Sequence, residues 1–213
     1  MIIVEKFSFN PFQENTFILF DETKECVIID PGCYYTEEEY TLSDFIEKNQ
    51  LKPVSLLLTH AHIDHVLGCN YILKKYGLLP EMHPAENFNI ESVEQIGKMY
   101  GIPNASNPQK PQDYLNENQK FTFGNSILEL LFVPGHSPGH LAFVCHAQQF
   151  VINGDVLFYE SIGRTDLPGG DFDTLIKSIK EKMFALPDEY TVYCGHGPET
   201  SIKHEKEFNP FLN

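Results

Sequence analysis

Several things are scarce in these 213 residues, and each scarcity removes a class of protein. No stretch reaches the roughly 18 consecutive apolar residues that a membrane helix needs, so a membrane-spanning chain is not expected. The opening "MIIVEKFSFNPF" has an early acid and only the short apolar run "MIIV", without the cationic flank and apolar stretch of a secretory signal. The five cysteines (Cys26, Cys33, Cys69, Cys145, Cys194) are odd in number and scattered without a CxxC pair, which argues against a disulfide framework and against a thiolate zinc site. Together these features lead us to expect a cytoplasmic protein with reduced thiols. Basic residues are scarce too: 15 against 30 acids gives a net charge of −15. A nucleic-acid partner is disfavoured, because binding to phosphate backbones draws on a basic stripe that releases counterions. The acidic excess is read as a solvated surface that implies no partner of its own.

What remains is an ordinary globular composition, 42% hydrophobic and 21% charged, with no low-complexity tract and no short-period repeat. The length allows one large domain or two small ones. Short apolar runs rich in β-branched and aromatic residues read as strands: "MIIVEKFSF", "NTFILF", "CVIID", "VSLLLTH", "SILELLFVPG", "LAFVCH", "QFVINGD" and "YTVYCG". Between them, "TEEEYTLSDFIEKNQ", "HVLGCNYILKKYG", "PAENFNIESVEQIGKMYG" and "DFDTLIKSIKEKMFAL" read as helices, the second closing with lysines before Gly77. The chain is therefore α/β. The Pro- and Asn-rich stretch 101–119 reads as a surface loop within one domain spanning 1–213, because the site residues fall on both sides of it.

The chemistry concentrates where strands stop. "LLLTH" ends in His60, "LLFVPGH" in His136, "FVINGD" in Asp155 and "YTVYCGH" in His196. Loops at strand ends are where open α/β sheets hold ligands, because the sheet fixes them rigidly. His60 and His62, two apart, suit a loop leaving a strand rather than one face of a helix, while Asp64 and His65 fall at the start of the helix that follows. Imidazoles and carboxylates are ligands for divalent first-row metals. His60, His62, Asp64, His65, His136, Asp155 and His196 are too many for one tetrahedral ion and suit two ions sharing a carboxylate. His83, His140, His146 and His204 are read as structural.

"THAHIDH", "PGHSPGH", "NGD" and "CGHG", in this order, resemble the metallo-β-lactamase superfamily. The resemblance covers almost the whole chain and implies an αββα sandwich, two β-sheets flanked by helices. "GDVLFYESIGRTDLPGGD" and "HEKEFNPF" are similar to the short glyoxalase II-like hydrolases and the related persulfide dioxygenases. Carried over by residue, it implies that His60, His62 and His136 hold one ion and Asp64, His65 and His196 the other, with Asp155 shared. Zinc is the first expectation, with iron or manganese as alternatives. Asp30 in "IIDPG" matches an acid that orients the ligand turn, although an Asp before Pro-Gly also simply starts a turn. Only 17 residues follow His196 (213 − 196), too few for the helical domain with which full-length glyoxalase II enzymes grip glutathione, so the resemblance does not by itself imply glutathione recognition.

The activity this implies is hydrolysis of a thioester, a small S-acyl thiol, by a hydroxide bridging the two ions. Asp64 would be both ligand and hydrogen-bond acceptor. A thiolate leaves with little help from a general acid, its conjugate thiol having a pKa of about 8.5. The alternatives are a persulfide dioxygenase with one iron on His60, His136 and Asp155, a β-lactamase, and a non-catalytic metal-binding protein. The lone arginine, Arg164 in "SIGRTDLPGGD", has Asp166, Asp171 and Asp173 nearby in sequence. It either pins this loop beside the metals through a carboxylate or contacts an anionic substrate.

Overall fold

A computed structural model describes residues 1–212. By internal contacts the chain divides into two compact units, residues 1–115 with 122–126, and 116–121 with 127 onward. The divide at 115/116 lies inside the stretch expected to be loop, which contains no helix or strand.

The first unit begins with an antiparallel pair, β1 (Ile3–Phe9) and β2 (Glu14–Phe20), continued by β3 (Glu25–Ile29). Helix α1 (Thr36–Lys48) then crosses over to β4 (Lys52–Leu57), which runs parallel to β3. Glu38 in its first turn reaches back to accept hydrogen bonds from the Tyr34 and Tyr35 amides at 2.8 and 3.1 Å, satisfying donors that a helix start leaves open. A second crossover, α2 (Ile63–Val66) and α3 (Cys69–Tyr76), leads to the short parallel strand β5 (Pro80–Glu81), and α4 (Asn87–Tyr100) follows a 3₁₀ turn at 84–86. The sheet order is β1-β2-β3-β4-β5. Its core gathers Ile18, Ile28, Leu56 and Leu58 against Leu42, Ile46, Ile72, Ile90 and Val93 of the helices, all buried.

One expected helix, from His65 to Gly77, is two. The break falls at Leu67–Gly68, where the loop after β3 presses in. The Gly68 amide donates to the Pro31 carbonyl at 2.8 Å, and a Cβ on residue 68 would lie 2.3 Å from Cys33 Sγ. Only glycine permits that approach.

Apart from residues 122–126, the second unit is built on the strands β6 (Lys120–Phe123), β7 (Ser126–Phe132), β8 (Leu141–Cys145), β9 (Phe150–Gly154), β12 (Thr191–Cys194) and β13 (Thr200–Ser201), in the order β13-β12-β9-β8-β7-β6. A small hairpin of β10 (Leu157–Phe158) and β11 (Ser161–Ile162) follows β9, and α5 (Phe172–Glu181) and α6 (Ile202–Phe208) complete it. Asp171 caps α5 by accepting from the Thr174 amide at 2.8 Å. Leu175, Ile179 and Met183 bury one stripe against Val133, Val144, Val151 and Val192. The "HEKEFNPF" segment forms α6 and its exit. There the buried Glu205 accepts from the Glu160 amide (3.0 Å), Thr200 Oγ1 (2.5 Å) and Asn209 Nδ2 (2.7 Å), tying the hairpin tip to the C-terminal helix. Two large sheets flanked by helices is the architecture expected from the sequence. Among the described residues no helix is long and apolar enough to cross a membrane.

Candidate metal centre

In the first unit the parallel register pairs Ile29 with Leu57, so β3 and β4 end at the same sheet edge. Asp30 leaves one strand end and Thr59–His65 the other. Asp30, Thr59, His60 and His65 are buried while His62 and Asp64 are half-buried, and Asp30 takes a left-handed conformation with φ 50°. Its carboxylate accepts from the Thr59 amide at 2.7 Å and Thr59 Oγ1 at 2.5 Å, and lies 3.1 Å from His65 Nδ1. Thr59 has one hydroxyl hydrogen, given to Asp30, so the 3.0 Å contact with His60 Nδ1 assigns the proton to that ring nitrogen. His65 likewise presents Nδ1–H to Asp30. Each imidazole is left with Nε2 as its electron-pair donor, the arrangement metal-binding histidines take when an outer partner fixes the tautomer. The rings gather closely, with His60 centred 4.7 Å from His62 and 4.2 Å from His65. Asp64, on the first turn of α2, places a carboxylate oxygen 3.9 Å from His65 Nε2.

Three residues that support this turn carried no signal in the sequence. Asn10 Nδ2 donates to the Asp64 carbonyl at 3.0 Å and the Gly32 carbonyl at 2.9 Å. Glu86 accepts from the Ala61 amide at 2.8 Å. Glu14, fully buried, has Oε1 3.8 Å from His65 Nδ1. Burial pushes its carboxyl well above the ordinary range, against the pull of His65, with Asp30 adding to the rise. An isolated Asn or Glu in a sequence does not say what it will face after folding.

In the second unit β9 and β12 are parallel, Gly154 opposite Cys194, so Asp155 and His196 leave adjacent strand ends. Antiparallel β7 and β8, paired at Phe132 and Leu141, close their loop at that edge too, and His136 lies in the loop. Asp155 Oδ2 stands 3.6 Å from His136 Nε2 and 3.5 Å from His196 Nε2. Its amide donates to Nε2 of the buried His140 at 3.1 Å, which places the His140 proton on Nδ1. His136 Nδ1 donates to the Arg164 carbonyl at 2.7 Å, leaving Nε2 as the electron-pair donor. Gly163 lets the loop come this close: a Cβ there would lie 2.0 Å from the Asp155 carbonyl and 3.1 Å from the His136 ring. The Arg164 side chain makes a two-pronged pair with Asp166, both distances 2.7 Å, and these hydrogen bonds hold the Asp166 carboxyl down at about 2.

Nitrogen-to-oxygen separations of 3.5–3.9 Å are too long for hydrogen bonds. They suit two donors around one ion: ligand bonds of about 2.1 Å at tetrahedral angles put donor atoms about 3.4 Å apart. The donor set, neutral imidazoles with carboxylates, thus fits a first-row divalent metal. The other four histidines are engaged in local structure. His83 accepts from the Ala85 amide, His140 from Asp155, His146 meets the Tyr190 hydroxyl at 2.7 Å, and His204 meets Glu160 at 3.1 Å while stacking on Tyr159. All five cysteines are buried and none is joined in a disulfide, and none lies in these groups of candidate ligands.

Residues 9–196 match the model of the metallo-β-lactamase superfamily, and the chain belongs to that family of metal-binding proteins, metallo-hydrolases among them. Over 206 residues it is 39% identical to a probable metallo-hydrolase, YqgX, of Bacillus subtilis, covering 95% of this chain and 94% of that one. It is 37% identical to the hydroxyacylglutathione hydrolase GloC of Haemophilus influenzae, with the same coverage. Among solved structures, the BLEG-1 B3 metallo-β-lactamase superposes with a TM-score of 0.88 at 32% identity, covering 99% of this chain and all of that one. TTHA1623 in a di-iron-bound form gives a TM-score of 0.88 at 35% identity, covering 98% and 100%.

Proposed function

We propose that the chain is a hydrolase of S-acyl thiols that works with two divalent metal ions, His60, His62 and His136 on one, Asp64, His65 and His196 on the other, and Asp155 on both. The observation that carries this is the position of one carboxylate oxygen, Asp155 Oδ2, at nearly equal distance from His136 and His196, histidines assigned to different ions. The 37% identity to a hydroxyacylglutathione hydrolase along nearly the full length supports the substrate class. The di-iron form of TTHA1623 supports two ions and keeps iron beside zinc and manganese as the native metal.

Bound in such a set, the ions supply water ionised near neutral pH, at a pKa of about 7, and a Lewis acid for the carbonyl. The side chains do the rest. Asp64, held through its backbone carbonyl by Asn10, offers a carboxylate to accept the hydrogen of the attacking nucleophile. His140 and the Arg164 carbonyl fix Asp155 and His136 beforehand, so no reorganisation is needed when charge develops. The thiolate leaves without a proton donor, which fits a site whose carboxylates serve as ligands and acceptors.

The test is metal analysis of protein purified without added metal, alongside thiol release from S-lactoylglutathione and an oxygen electrode with glutathione persulfide. We expect two ions per chain and thiol release without oxygen uptake. Asp155→Asn should lose one ion and at least about 100-fold in activity, since losing even an outer partner of a ligand costs about 10–100-fold. Full wild-type activity with one ion per chain would refute the two-metal reading. Persulfide-dependent oxygen uptake without thioester cleavage would make the protein a dioxygenase instead.

A further inference from the structure

The ligand turn 59–65 is pinned from one side by Asp30. It is pinned from the other side by Glu86, which has no role in the proposed reaction. Glu86 ends the 3₁₀ turn before α4, is completely buried, and accepts hydrogen bonds through Oε2 from the Ala61 amide and from Asn89 Nδ2, both at 2.8 Å. Ala61 is the residue between His60 and His62, so this amide belongs to the His60–Ala61 peptide, the first of the two that join these histidines. A hydrogen bond there sets the orientation of the peptide plane, and with it the angle at which the two imidazoles leave the backbone. Two hydrogen bonds of 2.8 Å converging on one buried oxygen suit a contact that must hold an angle. Asn89, in the first turn of α4, orients the carboxylate.

We propose that Glu86 is a positioning residue: through the Ala61 amide it holds His60 and His62 in the geometry that binds metal. This rests on the metal reading given above. The sequence offers no route to it, since 25 residues and a whole crossover separate the partners.

The test compares Glu86→Ala, Glu86→Gln and Asn89→Ala with wild type in two measurements. One is cobalt(II) affinity by chelator competition with the d–d spectrum of the bound ion; the other is the melting temperature of metal-free protein. Glu86→Ala should bind cobalt about 10–100-fold more weakly with an altered spectrum, the usual cost of losing an outer partner. Glu86→Gln keeps an oxygen for the Ala61 amide and should recover most of the affinity and the wild-type spectrum. Asn89→Ala leaves the Ala61 bond in place and should change melting more than affinity. Wild-type cobalt affinity in Glu86→Ala overturns the proposal, and so does Glu86→Gln binding as poorly as Glu86→Ala. If Glu86→Ala does not fold, Glu86→Asp, one methylene short of the amide, takes its place with the same expected loss. Failure of wild type itself to bind cobalt would instead refute the metal reading.

Discussion

Arg164 acts through two different atoms. Its carbonyl holds His136 Nδ1, while its guanidinium forks onto Asp166 only two residues away, both side chains largely exposed. The fork therefore shapes the loop locally, so that the carbonyl faces the imidazole. Lysine cannot reproduce two parallel bonds. We expect Arg164→Lys to melt earlier and to lose activity toward charged and neutral thioesters alike. Unchanged melting with a raised KM for anionic substrates alone would move the guanidinium onto the substrate. Because the Asp166 carboxyl is depressed to about 2, the pair stays ionised from neutral pH almost down to that value, so any activity change between pH 5 and 9 must come from elsewhere.

At the scale of elements, the turn after β2 and the β6–β7 turn meet on one buried carboxylate. Asp21 accepts from the Thr23 amide (2.9 Å) and hydroxyl (2.6 Å), the Asn125 amide (2.7 Å) and Ser126 Oγ (2.7 Å). Burial alone would raise its pKa, but these four donors outweigh it and bring the group down from 3.8 to about 2. A depressed carboxyl contributes stability that is present above the unfolded value, near 3.9, and is lost as pH falls through the folded one. Urea unfolding of wild type and Asp21→Asn should therefore differ most at pH 5, with the wild type more stable, and converge toward pH 2. A difference independent of pH would show that the charge of Asp21 contributes nothing. Apolar runs rich in β-branched and aromatic residues, such as β2 and β9, and the longer α4 were legible from residue order. The two-residue strands β5, β10, β11 and β13 and the seven-residue α6 were not, because so short a segment carries too little pattern and is stabilised by its partners in the fold.

At the scale of the molecule, the chain matches one family from residue 9 to 196 and yet divides by contacts into two units. We propose that it behaves as one domain. Calorimetry of metal-loaded protein should then show a single transition whose calorimetric and van't Hoff enthalpies agree. Chelator should lower the melting temperature, because a ligand at about 1,000 times its Kd stabilises by about 4 kcal/mol. Two resolved transitions would make the units separate domains.

Residue order by itself determined the α/β class, the family, and which histidines and aspartates stand at strand ends, because such patterns are local: His60, His62, Asp64 and His65 lie within six consecutive positions and Asp155 directly follows a strand. Tertiary structure alone decided what holds them. Asp30 on Thr59 and His65, Glu86 on Ala61, His140 on the Asp155 amide and the Arg164 carbonyl on His136 are hydrogen bonds between segments 15 to 35 residues apart. A sequence shows which groups can donate or accept, but their partners are set by strand register and crossover, which bring distant atoms within 3 Å only after the sheets have formed.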